Sequence, residues 1–229
     1  MSKKKIKVRV KKRKINIKKI LIFFFVLILI FLTGYYVSNL SIKNIYIVGN
    51  NILSDKEIIE IAKIEDYPPF LTVSSNEIED VLKENVYIKD INVKKKLFNK
   101  LYIYITEKKI LCMYDGQLIF EDFSVIDNKY KINGFPLLIS DINNIKDKFI
   151  SKFALVENNV LLKISEIEYL PNEVDDERFV LKMNDGNLVY ITLNKIDKIN
   201  KYNSIYSSLE GKKGIIYLDS GDYVEIKEE

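Results

Sequence analysis

Chemistry on covalent bonds needs side chains that shuttle protons, attack carbonyls or hold metals, and this chain is poor in them. None of its 229 residues is histidine, which removes Ser-His and Cys-His nucleophile pairs and any His-bearing metal site. The one cysteine, Cys112, sits in the apolar run Ile110-Leu111-Cys112-Met113, the setting of a small buried hydrophobe rather than of a thiolate. A lone cysteine forms no internal disulfide, so a disulfide-stapled secreted scaffold is excluded. A Ser-x-x-Lys pair occurs at Ser2 and Lys5, inside a lysine run where it has no catalytic setting. Gly211-Lys212-Lys213-Gly214 has the spacing of an RNA-clamping loop, but it reads more simply as a turn between a helix and a strand. Carboxylates remain. Asp175-Asp176-Glu177 could bind a cation or act on glycans, or be the solvated side chains of an acidic loop. Tyr67-Pro68-Pro69-Phe70 could dock a peptide or merely join two helices. No cofactor is expected, and the balance points to binding rather than catalysis.

The element that positions everything else is at the start. Residues 3–19 carry eleven positive charges, Lys11, Lys12, Arg13, Lys14, Lys18 and Lys19 among them, and no acidic residue precedes Asp55. Ile20 to Val37 follows, eighteen residues without a charge. As a helix it is about 27 Å long, close to the thickness of a bilayer's hydrocarbon core. Its run of Phe23, Phe24, Phe25, Val26, Leu27 and Ile28 has no polar face. The exit, Thr33-Gly34-Tyr35-Tyr36, is too bulky for signal-peptide cleavage. The tyrosines suit the far interface, and the basic residues hold the N-terminus in the cytoplasm by the positive-inside rule. The expectation is a basic tail (1–19), an uncleaved anchor (20–40) in the lipid bilayer, and everything else outside the cytoplasm.

Of 36 basic residues eleven lie in that tail, leaving 25 against 32 acidic ones and a net −7 for the exported part. A folded region of that sign is not built for nucleic acid. About 190 residues suffice for one large domain or two small ones.

Along the exported part, Ser41–Val48 reads as a strand closed by Gly49-Asn50-Asn51. Ser54 with Glu57, and Ser74 with Glu77, read as helix starts of the capping-box kind. Ile58, Ile61 and Ala62 form the apolar face of the first helix, and Ile78, Val81 and Leu82 that of the second. Lys89–Lys94 and Leu101–Glu107 alternate as strands. The order is β-α-α-β-β over 41–109. From 110 to 229 the pattern becomes mostly β. Strands are expected at 110–114, 117–120, 137–139, 161–169, 179–183, 188–193, 214–218 and 223–227. Hairpin signals stand at Asp115-Gly116, at Asn184-Asp185-Gly186-Asn187 and at Asp219-Ser220-Gly221-Asp222. Helices are expected over 141–158 and 196–209. The fold class is therefore α+β.

This order of parts resembles the bacterial cell-division family FtsQ/DivIB. The likeness is carried by IKNIYIVGNNILSDKEII and by SSNEIEDVLKENVYIKDINVKKKLFNKLYIYITEKKI, which look like an FtsQ-type POTRA domain. The Gly49-Asn50 turn and the Leu101–Glu107 strand ending in Glu are its best markers. It continues through Val125-Ile126-Asp127, Gly134-Phe135-Pro136 and the hairpin at 184–187. The chain departs from the family at Asn85-Val86 and Phe98-Asn99, where prolines are usual, and at Asp127-Asn128, where Asp-Gly is.

The resemblance implies a non-catalytic division scaffold that binds bitopic partners of the FtsB/DivIC and FtsL types and helps regulate septal peptidoglycan assembly. It implies that a partner segment pairs with the open edge of the C-terminal strands. Ile215, Ile216, Tyr217, Leu218, Tyr223, Val224 and Glu225 match that position, with Tyr217 and Tyr223 as anchors. The bland alternative is an ordinary sheet margin covered by Glu228-Glu229 and solvent. Two other classes stay open: a membrane-anchored cell-wall hydrolase or carbohydrate-binding protein, and an assembly chaperone, although such chaperones usually carry several POTRA modules and a barrel.

Overall fold

The computed structural model describes residues 16–227. It begins with helix α1 (Ile17–Ser38), 22 residues with no side chain buried. At 1.5 Å per residue it is about 33 Å long, slightly more than a bilayer's hydrocarbon core. It is the one helix among the described residues long and apolar enough to cross a membrane. Thr33, the hydroxyl in this run, donates back to the Leu29 and Ile30 carbonyls at 2.9 Å, so the apolar helix exposes no unpaired donor there. Lys18 and Lys19 stand in its first turn, whereas Lys11, Lys12, Arg13 and Lys14 lie outside the described residues.

The chain divides into two compact units: residues up to 49 with 54–85 and 91–105, and residues 50–53 and 86–90 with those from 106 onward. The first contains β1 (Asn44–Val48), α2 (Asp55–Ile61) and α3 (Ser75–Lys83). It also holds most of β2 (Ile88–Lys96) and β3 (Lys100–Glu107). The strands lie in the order β1-β3-β2, with β1 parallel to β3. Helix α2 starts at a complete capping box: Ser54 Oγ accepts from the Glu57 N–H at 3.3 Å and the Glu57 carboxylate accepts from the Ser54 N–H at 2.9 Å. Two of the orphan donors of the first turn are thereby satisfied. Ser74 caps α3 by accepting from the Glu77 N–H.

The alternation in β3 sorts its side chains by face. Leu101, Ile103 and Ile105 are buried, as are Ile58, Ile78 and Leu82. On the other face Tyr46, Tyr102 and Tyr104 stack, and the Lys96 ammonium lies 4.1 Å above the Tyr102 ring. Gly49 has φ +97°, and a Cβ there would lie 2.1 Å from the Ile105 carbonyl oxygen. Only glycine permits that approach.

Tyr67-Pro68-Pro69-Phe70 belongs to the α2–α3 connection. It is tied to the segment that leaves α1: the Ile42 N–H donates to the Pro68 carbonyl and the Phe70 N–H to the Leu40 carbonyl.

The second unit is built on a nine-stranded sheet. Its strands are β4 (Ile110–Tyr114), β5 (Gln117–Phe120), β6 (Val125–Asp127), β7 (Leu137–Leu138), β8 (Ile164–Tyr169), β9 (Arg178–Met183), β10 (Leu188–Thr192), β11 (Gly214–Tyr217) and β12 (Tyr223–Ile226). The order is β12-β11-β10-β9-β8-β7-β4-β5-β6. One face is covered by α4 (Lys146–Phe153), α5 (Asn158–Leu161), a 3-10 helix (Leu193–Lys201) and α6 (Tyr202–Ser208). Their side chains Phe149, Phe153, Val160, Ile196, Ile199 and Tyr202 share a core with Ile167, Phe179, Leu181, Val189, Ile191 and Ile216. Also in this unit, the Glu107 carboxylate that closes β3 accepts from the N–H groups of Asn51, Ile52 and Leu53 at 2.8–3.0 Å. The terminal Glu of the family signature thus holds the loop that precedes α2.

Three expectations are corrected here. Residues 141–158 are not one helix: Asp141 accepts from the Asn143 N–H at 2.8 Å, a side-chain turn that competes with helix and delays α4 to Lys146. The chain breaks again after Phe153. Leu161 ends α5, and the strand begins only at Ile164. Residues 196–209 are a 3-10 helix followed by α6, with Lys195 off helical geometry (φ −119°, ψ 17°). Ile196, Ile199, Tyr202 and Ile205 repeat every three residues, the period at which 3-10 side chains eclipse.

Candidate functional site

The side chains most able to do chemistry are all engaged in structure. Cys112 is fully buried, and burial pushes its thiol up to about 12, far from a thiolate at neutral pH. The carboxylates of 175–177 serve their own loop. Asp175 accepts from the Glu177 N–H at 2.9 Å and from the Thr192 hydroxyl at 3.3 Å. Glu177 pairs with Lys148, and the Asp176 carbonyl accepts from the Tyr169 hydroxyl. Among the described residues no three His, Cys, Asp or Glu side chains converge as metal ligands would. Gly211 takes a positive φ in a turn, and Gly214 opens β11.

The C-terminal hairpin is a better candidate, and the structure changes its outline. Strand β11 is not an edge. It pairs with β10 on one side and β12 on the other, so its backbone groups are used. Ile216 and Leu218 are buried in the core and cannot meet a partner. The open margin among the described residues is β12 alone. The Lys227 N–H donates to the Lys213 carbonyl, and antiparallel pairing alternates. Tyr223 and Glu225 therefore turn their backbone groups to β11, leaving those of Val224 and Ile226 pointing outward.

Several features hold this edge in place. A Cβ on Gly214 would lie 2.7 Å from the Glu225 carbonyl oxygen, so glycine lets β12 close onto β11. Asp219, in the hairpin turn, accepts from Arg178 Nε at 2.7 Å with both side chains mostly buried. Burial works to raise the Asp219 pKa, but the bonds and charge of Arg178 and the bonds of Ser220 outweigh it and hold the carboxyl below the usual aspartate range. Lys195 donates to the Asp219 carbonyl. Lys198 bonds Asp222 at 2.6 Å and lowers that carboxyl too.

Behind the turn, buried Asn187 donates to the Tyr202 hydroxyl at 2.9 Å and accepts from the Gly214 N–H at 2.8 Å. The Tyr202 hydroxyl in turn donates to Asp185. Burial, reinforced by the Asp185 hydrogen bond, raises the Tyr202 pKa, so the phenol remains a donor. This network joins the β9–β10 turn, α6 and the first residue of β11.

Two surfaces flank the edge. On the sheet face away from the helices, Arg178, Tyr190, Tyr217 and Tyr223 form a ladder across four strands. The guanidinium lies 4.2 Å from the Tyr190 ring, and successive rings stack at 5.2 and 4.6 Å. Tyr217 also donates to Glu225. On the helix side lies a groove of about 430 Å³, lined by Lys198, Lys201, Ile205, Leu218, Tyr223 and Val224 among others. Of the seven residues expected at the site, Tyr223, Val224 and Glu225 lie on the edge, and Tyr217 and Ile215 belong to the neighbouring strand. Arg178, Asn187, Ile205 and Gly214 were not anticipated. They are distant in sequence from the strand they position, and only Gly214, a glycine opening a strand, carried any signal.

The arrangement offers unpaired backbone groups, stacked aromatics and an apolar groove with ammonium groups at its rim, which is equipment for strand addition. The FtsQ-type POTRA-domain family model matches residues 40–108. The cell division protein DivIB of Listeria monocytogenes is 31% identical over 94% of this chain and 83% of its own length. The protein of the same name from Bacillus subtilis is 31% identical over 94% of this chain and 86% of its own. A solved structure, the major extracytoplasmic domain of DivIB from Geobacillus stearothermophilus, aligns with 46% of this chain and 96% of that one, at 21% identity and a TM-score of 0.38; no argument rests on it.

Proposed function

The chain belongs to the FtsQ/DivIB family, and from that premise we propose that it is a non-catalytic scaffold of the bacterial division machinery. It is held in the cell membrane by α1 with its N-terminus in the cytoplasm and its folded units outside, at the septum. It binds FtsB/DivIC- and FtsL-type bitopic partners and, through them, helps regulate peptidoglycan assembly. Lys18 and Lys19, at the start of α1, and the basic residues before them favour that orientation. The domain limits proposed are 41–109 and 110–229.

The observation that carries the binding reading is the open edge of β12. An incoming strand would complete the outward backbone groups of Val224 and Ile226 and set alternate side chains into the groove and against Tyr223. Proline at position 226 removes an outward N–H while leaving the pairing of Glu225 with β11 intact. In cells co-expressing the full chain with FtsL- and DivIC-type proteins, Ile226→Pro should reduce co-purification about tenfold, the equivalent of one hydrogen bond of about 1.4 kcal/mol. Unchanged recovery would remove β12 from the interface. A fluorescently tagged copy spread evenly over the membrane, with no mid-cell band, would count against the division role itself.

A further inference from the structure

The β2–β3 hairpin ends in Leu97-Phe98-Asn99, a turn made of the wrong residues for water. Leu97 is 82% and Phe98 79% exposed. Phe98 and Asn99 both take positive φ, 64° and 54°. Asparagine tolerates that region, but a phenylalanine there is strained by about 1 kcal/mol. A turn selected only for stability would carry Gly or Asn at 98.

The setting of the tip is basic. Lys94, Lys95, Lys96 and Lys100 flank it, and no carboxylate occurs between Ile91 and Thr106. The tip is also tethered. The Asn99 side chain donates to the Ser41 carbonyl at 3.0 Å, and the Lys43 N–H donates to the Asn99 carbonyl at 2.8 Å. Ser41 is three residues beyond the end of α1, so whatever angle the linker takes, that contact lies within about 10 Å of Ser38. The polar layer flanking the hydrocarbon core is about 5–7 Å deep on each side.

The neighbouring α2–α3 connection is bonded to Leu40 and Ile42 and carries exposed Leu71. Lys95 joins hairpin to connection by donating to the Val73 carbonyl and lying 4.6 Å from the Phe70 ring.

We propose that this tip is a second membrane contact: Leu97 and Phe98 enter the leaflet from which α1 emerges, and the flanking lysines meet the phosphates of anionic lipids. Apolar side chains ringed by ammonium groups complement an anionic interface, where chain ends take the apolar part and headgroups the charge. The contact would fix the tilt of the first unit on the membrane, a role separate from partner binding at β12. The proposal rests on α1 spanning the bilayer.

The chain contains no tryptophan, so single substitutions report position directly. Phe98→Trp, Val174→Trp and Phe25→Trp are made in the full chain and reconstituted in nanodiscs of phosphatidylglycerol with phosphatidylcholine. Val174, 96% exposed in the second unit, is the water reference, and Phe25, within α1, is the depth reference. The Phe98→Trp emission should be blue-shifted from that of Val174→Trp and lose most of its intensity to lipid brominated near the headgroup. The quenching should weaken in pure phosphatidylcholine. If Phe25→Trp is quenched by deeply brominated lipid while Phe98→Trp matches Val174→Trp, the tip contact is overturned and the anchor stands. Equal quenching of Phe98→Trp in both lipids overturns the part given to the lysines. An unquenched Phe25→Trp removes the membrane reading and the proposal with it.

Discussion

Two hairpins in this molecule are opposites in chemistry. The β2–β3 hairpin has an apolar tip with a strained backbone, bonded to the segment beside the membrane helix. The β11–β12 hairpin has a polar tip, Asp219-Ser220-Gly221-Asp222, which Arg178, Lys195 and Lys198 hold down. In the first, the edges are used within the sheet or face solvent, and the unexplained surface is the turn. In the second, the turn is fully explained, and the unexplained surface is the edge. A hairpin can therefore present either its tip or its margin, and the partners of the tip residues tell which.

The largest effect should come from the pinned turn. Asp219→Ala leaves the mostly buried Arg178 guanidinium without its carboxylate and should cost about 3 kcal/mol. Amide exchange of β11 and β12 in the full chain should accelerate while β1 to β3 keep their protection. Equal acceleration in both sheets would show that the two hairpins are not independent. Asn187→Ala comes next, at about 2 kcal/mol, because it leaves the Gly214 N–H without its acceptor and removes a donor to Tyr202. Its signature is faster exchange at Gly214.

Acid should act on the same hairpin. Asp219 and Asp222 titrate below the ordinary aspartate value in the folded protein. Their contribution is complete above about pH 4 and is lost as pH falls through the lowered values. Exchange at β12 should therefore accelerate below pH 4, whereas the β2–β3 tip, which carries no carboxylate, should not respond. The smallest effect has the opposite sign. Phe98→Gly relieves the positive φ, and the folded protein should gain up to about 1 kcal/mol. A loss of stability there would show that the phenylalanine packs against protein.

Much of the framework was legible in local sequence. The capping pair Ser54 and Glu57, the Asp115-Gly116 turn and the hairpin at 184–187 depend on neighbours a few residues apart, and each appears where its residues predict it. The period-three run from Ile196 was also visible, but apolar positions at that spacing fit an α-helix nearly as well. Packing against the sheet and the kink at Lys195 settled the matter. The interior place of β11 was not legible: Gly214–Tyr217 alternates like an edge strand, and nothing in it names β10 as its parallel neighbour. The Glu107 marker shows the reverse case, a residue visible as a signature whose reason, three N–H groups at positions 51–53, lies more than fifty residues away.

By itself the sequence determined a membrane helix, an α+β exterior without a catalytic cluster, and the residues of most turns, because these follow from composition and from hydrogen bonds within a few positions. The tertiary structure alone decided that β12 rather than β11 is the open margin, that Asn187 and Arg178 hold it, and that Phe98 stands exposed beside the membrane linker. Those outcomes depend on which distant segments exhaust each other's hydrogen bonds and surface, and pairing across the chain carries no local signal.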